Sequence, residues 1–313
     1  MAGDDEGGEG ARVSEFDFIR DLRPLTDLDP ALGLADDAAL VPAQADVVCT
    51  DTLVEGLHFI GDEPAADLAF KLLAVNASDL VAMNAQPTHA LLNLSLPGAR
   101  CDAAWRAGFI DGLGEACAAF GLQLLGGDTT GSPAGLVLSA TLFGDLEGRA
   151  PWRRAGAEAG QRVCVSGPVG AGALGLADVQ AGETDTAFAA HYRRPTPRLD
   201  LLGLPGVTAC ADISDGLIAD LAHICRASGV AAEVDLSAVP LANPAGDAAA
   251  QITGGDDYRL VFTMAEGTAA ALPAGCSAIG RIIPAAQGQP LVRLSGEPAM
   301  AAQIEARAGY THF

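Results

Sequence analysis

Lysine is almost missing from this 313-residue chain: Lys71 is the only one. With 40 acidic against 18 basic residues the formal net charge is −22. That balance excludes grip on a bare phosphate backbone, which needs many Lys and Arg contacts. It leaves open phosphate binding through divalent cations placed between two negative partners. Aromatic residues are scarce at 5%, although half the residues are apolar, mostly Ala, Leu and Val. The seven cysteines (Cys49, Cys101, Cys117, Cys164, Cys210, Cys225, Cys276) form no C-x-x-C pair, which predicts buried free thiols in a reducing compartment rather than a disulfide framework. The opening "MAGDDEGGEGA" has neither a basic region nor an apolar core, so no signal peptide is expected there. No run approaches the ~18 apolar residues of a membrane helix. The expected location is the cytoplasm. Also missing are G-x-x-x-x-G-K-[ST], H-E-x-x-H and G-x-S-x-G, which removes P-loop, zincin and nucleophile-elbow chemistry.

What is present reads as two α/β halves. Residues 1–12 are small and acidic and are expected to be disordered. Residues 46–59 read as a strand that breaks into a loop at Thr50 and Asp51, and 67–85 as a helix. A second helix over 104–121 is closed by Gly121. Residues 122–125 read as a strand ending in a Gly-Gly-Asp turn, and 136–144 as another strand. The polar stretch 147–161 is the best domain boundary, giving domains 13–148 and 149–313. Strand, turn and helix recur at 207–229. Strands alternating with helices in both halves predict a layered α/β fold.

The acidic residues are not spread evenly. Apolar stretches deliver aspartate into Gly-, Ser- or Thr-containing loops at Asp36 and Asp37, at Asp51, at Asp128, and at Asp212 and Asp215. Each one singly fits a helix cap or turn residue, and Asp215 is placed to cap a helix starting at Leu217. Asp79 resists that reading, because it lies seven residues after Leu72, on the apolar stripe of its helix. Two carboxylates about 4 Å apart repel by roughly 4 kcal/mol at an effective dielectric of 20. If these turns converge, cations must offset that cost. Oxygen donors without His or Cys at metal spacing select Mg²⁺, Mn²⁺ or Ca²⁺ over Zn²⁺. The hydroxyls of Thr50, Thr129, Thr130 and Ser214 suit the same ions. His223 reads as structural on an amphipathic helix. His58 follows the Asp51 segment and is equally open to a structural or a site role.

One competing motif is Gly170-x-Gly172-x-x-Gly175, after a strand and before a helix, the context of a dinucleotide fingerprint. That fold also needs a second strand ending in Asp or Glu about 20 residues later. There the chain reads "HYRRPTPRL", so the expectation is a Gly-rich turn opening a helix.

The segments "DFIRDLRPL", "ADDAAL", "TDTLVEGLHF", "KLLAVNASDLVAMNAQP", "GGDTTGSP", "RRPTPR", "DISDGLIADLAHI", "GGDDYRLVFT" and "GYTHF" follow one another from about Glu15 to Phe313. Together they resemble the thiamine-monophosphate kinases, in the superfamily that includes aminoimidazole ribonucleotide synthetase. The resemblance implies two α/β domains, the first pairing across a homodimer and the second covering the cleft. It implies phosphorylation of thiamine monophosphate by ATP with several Mg²⁺ ions. Carried over by motif, the metal ligands would be Asp37, Cys49, Thr50, Asp51, Asp79, Asp128, Asp212 and Asp215. Gly127, Asp128, Arg154 and Ser214 would contact ATP; His58, Asp256 and Phe313 would face the thiamine phosphate. Asp128, Arg154 and Asp212 would carry the catalytic step. This chain departs from the family pattern at Ala35, where Gly is usual, and at Cys49, where Ser or Thr is common and only the carbonyl suits a hard ion. It departs again at Asp256 and Arg259, where Glu is common. The alternatives are ATP activation of a carbonyl oxygen for ring closure or amidine formation, and a non-catalytic cation binder.

Overall fold

The computed structural model describes residues 21, 23–25, 45–98, 100–265 and 272–307. Asp36, Asp37 and Phe313 lie outside them. Apolar residues alternating along the first segments build a four-stranded sheet in the order β1-β4-β2-β3, from β1 (Val47–Val54), β2 (Gln86–Leu96), β3 (Gln123–Gly131) and β4 (Val137–Asp145). Only the β2–β3 pair is parallel, as its helical crossover requires. β1 runs unbroken through Thr50 and Asp51, against the expected loop, because all eight of its residues pair with β4. Successive side chains therefore take opposite faces: Cys49, Asp51 and Leu53 point inward, and Val48, Thr50 and Thr52 outward.

The Gly-Gly-Asp segment is no turn either. β3 continues through it to Gly131 as an edge strand, with a register shift opposite Ala90 and Leu91. Two glycines suit this path for a steric reason: at Gly127, whose φ is +154°, a Cβ would stand 1.8 Å from the Leu92 carbonyl oxygen.

Helix α1 (Ala65–Ala82) is buried on all sides: from Leu68 to Ala82 only Phe70 and Asp79 escape full burial. The physical reason is its position between two sheets. Leu68, Leu72, Leu73 and Leu80 pack with Leu92, Leu94 and Leu138 of the first sheet and with Phe109 and Leu113 of α2 (Ala103–Phe120). Val81 and Ala82 join Cys164, Cys210, Leu260 and Phe262 of the second sheet. Asp102 caps α2 by accepting the Trp105 N–H at 2.8 Å, and Gly121 closes it in a left-handed turn, as the sequence implies.

The second sheet has the order β10-β7-β9-β5-β8-β6, from β5 (Arg162–Val165), β6 (Val207–Asp212), β7 (Val230–Asp235), β8 (Leu260–Met264), β9 (Ser277–Pro284) and β10 (Val292–Ser295). One core joins Val163, Val165, Val261 and Ile279 of its strands to α5 (Leu217–Ser228), α6 (Ala248–Thr253) and α7 (Pro298–Glu305). The Gly-rich turn does open a helix, α3 (Ala171–Gln180), followed by α4 (Ala187–Arg193) where a dinucleotide fold would need a strand. The N–H groups of Gly170 and Gly172 are taken by the buried Asp257 carboxylate at 2.6 and 2.9 Å, so the protein fills its own would-be pyrophosphate site. The fold is α/β, with two sheets and seven α-helices among the described residues.

Candidate active site

Between the two sheets lies a cavity of about 540 Å³. Its walls come from both halves of the chain. Asp51 enters from the inward face of β1 and Asp79 from the one polar opening in the buried length of α1. Asp212, Ser214 and Asp215 come from the end of β6 and its turn, and Arg154 from the connection between the sheets. His58, Gly255, Asp256 and Tyr258 also line it, beside apolar residues such as Leu57, Val75 and Leu176.

Electrostatics in this cavity is strained. Burial, reinforced by Asp212 and Asp51, raises the Asp79 carboxyl well above its usual range, with Arg154 opposing. Burial raises Asp212 as well; a hydrogen bond from Ser78 Oγ at 2.8 Å works against that, while Asp51 repels it. Asp51 is raised by burial. In each of these acids the neutral form is favoured relative to a free carboxyl, a bias that a bound cation would oppose. The donors are hard oxygens, so the set fits Mg²⁺ or a similar ion.

The turn after β6 is organised by a residue the sequence reading passed over. Asp220, on α5 and 2% exposed, accepts the N–H groups of Ser214, Asp215 and Gly216, each at 3.1 Å. Asp215 is therefore not the cap of α5, which has no side-chain cap; Asp220, in the first turn, holds the N–H groups just before the helix, and Asp215 is left facing the cavity. Burial pushes the Asp220 carboxyl up to about 8. Asp215, Asp220 and His223 bring ligand-type atoms within 4.8 Å of one another, but Asp220 is engaged by the backbone and His223 Nδ1 lies 3.2 Å from Arg226.

Several expected site residues stand elsewhere. Asp128 pairs with Asn93, which pairs with Ser139, which pairs with Thr52, so all four share the outward face of the first sheet. Asp128 is exposed there, three strand spacings or roughly 14 Å from β1. Gly127 shares that edge strand. The Thr50 hydroxyl also faces outward and donates to the Ala140 carbonyl at 3.0 Å. Cys49 points inward, donating its thiol to the Asn76 carbonyl at 3.3 Å, and burial among Asp79, Asp51 and Asp212 disfavours the thiolate strongly.

Comparison with known proteins follows the same geometry. Residues 35–146 match the AIR synthase related protein N-terminal domain and residues 158–288 the C-terminal domain. The thiamine-monophosphate kinase of Caulobacter vibrioides is 41% identical over 292 residues, covering 86% of this chain and 82% of that protein. The chain belongs to the thiamine-monophosphate kinase family. Among solved members of that family, the enzyme from Stenotrophomonas maltophilia K279a superposes with a TM-score of 0.78 at 38% identity, over 92% of this chain and 97% of that one. A structure of AaThiL complexed with AMPPCP and TMP gives 0.76 at 28% identity, over 89% and 91%.

Other residues missed by the sequence reading surround this family's cavity. Ser78 gave no signal beyond its place beside Asp79, and Asp257 none beyond its place beside Asp256. Tyr192 donates its hydroxyl to the His58 carbonyl at 3.0 Å, from α4, where only tertiary packing could bring it. His58 Nδ1 accepts the Val54 N–H at 3.0 Å, which fixes the imidazole proton on Nε2.

Proposed function

We propose that the protein transfers the γ-phosphoryl group of ATP directly onto the phosphate of thiamine monophosphate, giving thiamine diphosphate, with several Mg²⁺ ions. The observation that carries this reading is the meeting of Asp51 and Asp79 with Asp212, Asp215 and Arg154 on one cavity. Family membership supports it, since the AaThiL structure holds an ATP analogue together with TMP.

Asp51, Asp79, Asp212 and Asp215 would hold the metal ions, joined by Asp37 and by the carbonyl oxygens of Cys49 and Thr50. The ions supply charge neutralisation for two phosphorylated ligands, the main catalytic need in phosphoryl transfer. Ser78 orients Asp212, and Asp220 holds the turn that aims Ser214 and Asp215. Arg154, exposed at the cavity mouth, is placed to balance charge on the moving phosphoryl group. The acceptor phosphate, with a second pKa of about 6, is a dianion near neutral pH and attacks without a general base. His58 is held through Nδ1 by the Val54 N–H. His58 and Asp256, which line the cavity, would contact the acceptor, joined by Phe313. The same reading divides the chain at about residue 148, pairs two copies through the N-terminal domain and places the protein in the cytoplasm.

Incubation with Mg²⁺, ATP and thiamine monophosphate should yield thiamine diphosphate and ADP in equal amounts by chromatography. ADP without thiamine diphosphate would overturn the proposal.

A further inference from the structure

The chain's single lysine is spent in the interior. Lys71, on α1, is 2% exposed. Its Nζ lies 3.1 Å from Asp256 Oδ2, 3.3 Å from the His58 carbonyl oxygen and 3.7 Å from the centre of the Tyr192 ring. Leu or Met would satisfy the burial of α1 without desolvating an ammonium, so this charge is retained against a cost.

Its partner explains where the cost is directed. Asp256 belongs to the segment 254–258 of the second half and lines the cavity, with its side chain 30% exposed. Its φ is +63°, a left-handed conformation that a non-glycine residue holds only when its surroundings dictate it. Both carboxylate oxygens are engaged: Oδ2 by Lys71 and Oδ1 by the Tyr258 hydroxyl at 2.9 Å. The Asp256 N–H donates to the Ser214 carbonyl at 3.0 Å, joining this segment to the turn after β6. On the other side of Lys71, His58 accepts from both Lys71 and Tyr192. The ammonium therefore binds the two expected acceptor contacts, His58 and Asp256, to one point of α1.

We infer that Lys71 is a positioning residue for the acceptor end of the cavity, setting Asp256 and His58 for the thiamine phosphate. The inference rests on the kinase reading given above. It differs from a simple counter-ion role for Asp256. If Asp256 recognised the cationic ring through its charge alone, removing Lys71 would strengthen the local negative field and tighten acceptor binding. Positioning by Lys71 requires the opposite.

The test is a steady-state cycle of wild type, Lys71→Met, Asp256→Asn and the double variant. Acceptor affinity is measured by calorimetry, ADP–Mg²⁺ affinity serves as a control, and folding is followed by circular dichroism. Lys71→Met should raise the KM for thiamine monophosphate about tenfold, the scale of one lost charged hydrogen bond, leave the KM for ATP within about twofold, and have no further effect in the Asp256→Asn background. A lowered acceptor KM, an unchanged one, or additive effects in the double variant would overturn the inference. Should Lys71→Met not fold, Tyr258→Phe frees the other oxygen of Asp256 and must shift the acceptor KM in the same direction. Wild-type protein that binds ADP but neither binds nor phosphorylates thiamine monophosphate would remove the kinase reading and this inference together. A wild type that does both, with variants unchanged, removes the inference alone.

Discussion

The individual carboxylates carry opposite meanings for stability and for chemistry. Asp212 is 5% exposed and faces other acids, so without cations it opposes folding. Asp212→Asn should therefore raise the melting temperature in EDTA while lowering phosphate transfer by about a thousandfold, on the scale of losing one electrostatic group at a reacting phosphate. A variant that is both inactive and less stable in EDTA would contradict this account. The pH dependence has a definite sign. Between the ordinary carboxylate pKa near 4 and the value of about 8 at Asp220, folded protein retains a proton that the unfolded chain has released. Stability of the metal-free protein should fall as pH rises through that window. Asp79 and Asp212, raised by burial and by neighbouring carboxylates, act in the same direction. Added Mg²⁺ should consequently raise the melting temperature more at pH 8 than at pH 5, because binding must displace protons at the lower pH. Differential scanning fluorimetry across both conditions checks it.

At the scale of elements, spacing in the sequence identified α1, α2, the strand–turn–helix of β6 and α5, and the helix after the Gly-rich turn. It misread β1 and β3 for one shared reason. Thr, Gly and Asp are turn-forming residues by local preference, yet β1 is paired along its whole length with β4, and β3 is the edge strand beside β2. Ladder hydrogen bonds formed with distant residues overrode the local signal. Gly127 is where this can be tested. An alanine there meets the Leu92 carbonyl within bonding distance, so Gly127→Ala should cost at least about 2 kcal/mol in urea denaturation, by displacing the edge strand. A neutral substitution would show that β3 does not lie against β2 as described.

At the scale of the whole molecule, α1 unites the two sheets. Its residues belong to the core of the first sheet and, at Val81 and Ala82, to that of the second. Ion pairs cross the same boundary: Arg194 of α4 reaches Asp67 of α1 and Glu115 of α2, with its guanidinium 5.0 Å above the Phe70 ring. These groups are partly exposed, so Arg194→Ala should cost only about 0–1 kcal/mol. Leu72→Ala, in the middle of the buried helix, should cost about 2–5 kcal/mol. Calorimetry should then show one transition moved as a unit. Separate melting of the two sheets would refute the role assigned to α1.

The sequence by itself determined the class of chemistry: an acidic chain with one lysine, aspartates at the ends of apolar stretches, and motifs in an order that resembles one family. It also marked Asp79 as out of place on an apolar helical stripe, which is where the cavity opens. Which acids meet was decided by tertiary structure alone. Pairing register put Asp51 on the inner face of its sheet and Thr50 and Asp128 on the outer one, a distinction of one residue that periodicity cannot assign without the partner strand. The same holds for Lys71, Ser78, Tyr192 and Asp220, whose partners are backbone or side-chain groups supplied by folding. Spacing along a chain reports which face of an element a residue shares, whereas charge and hydrogen bonding depend on separations in space that exist only after the two sheets close over α1.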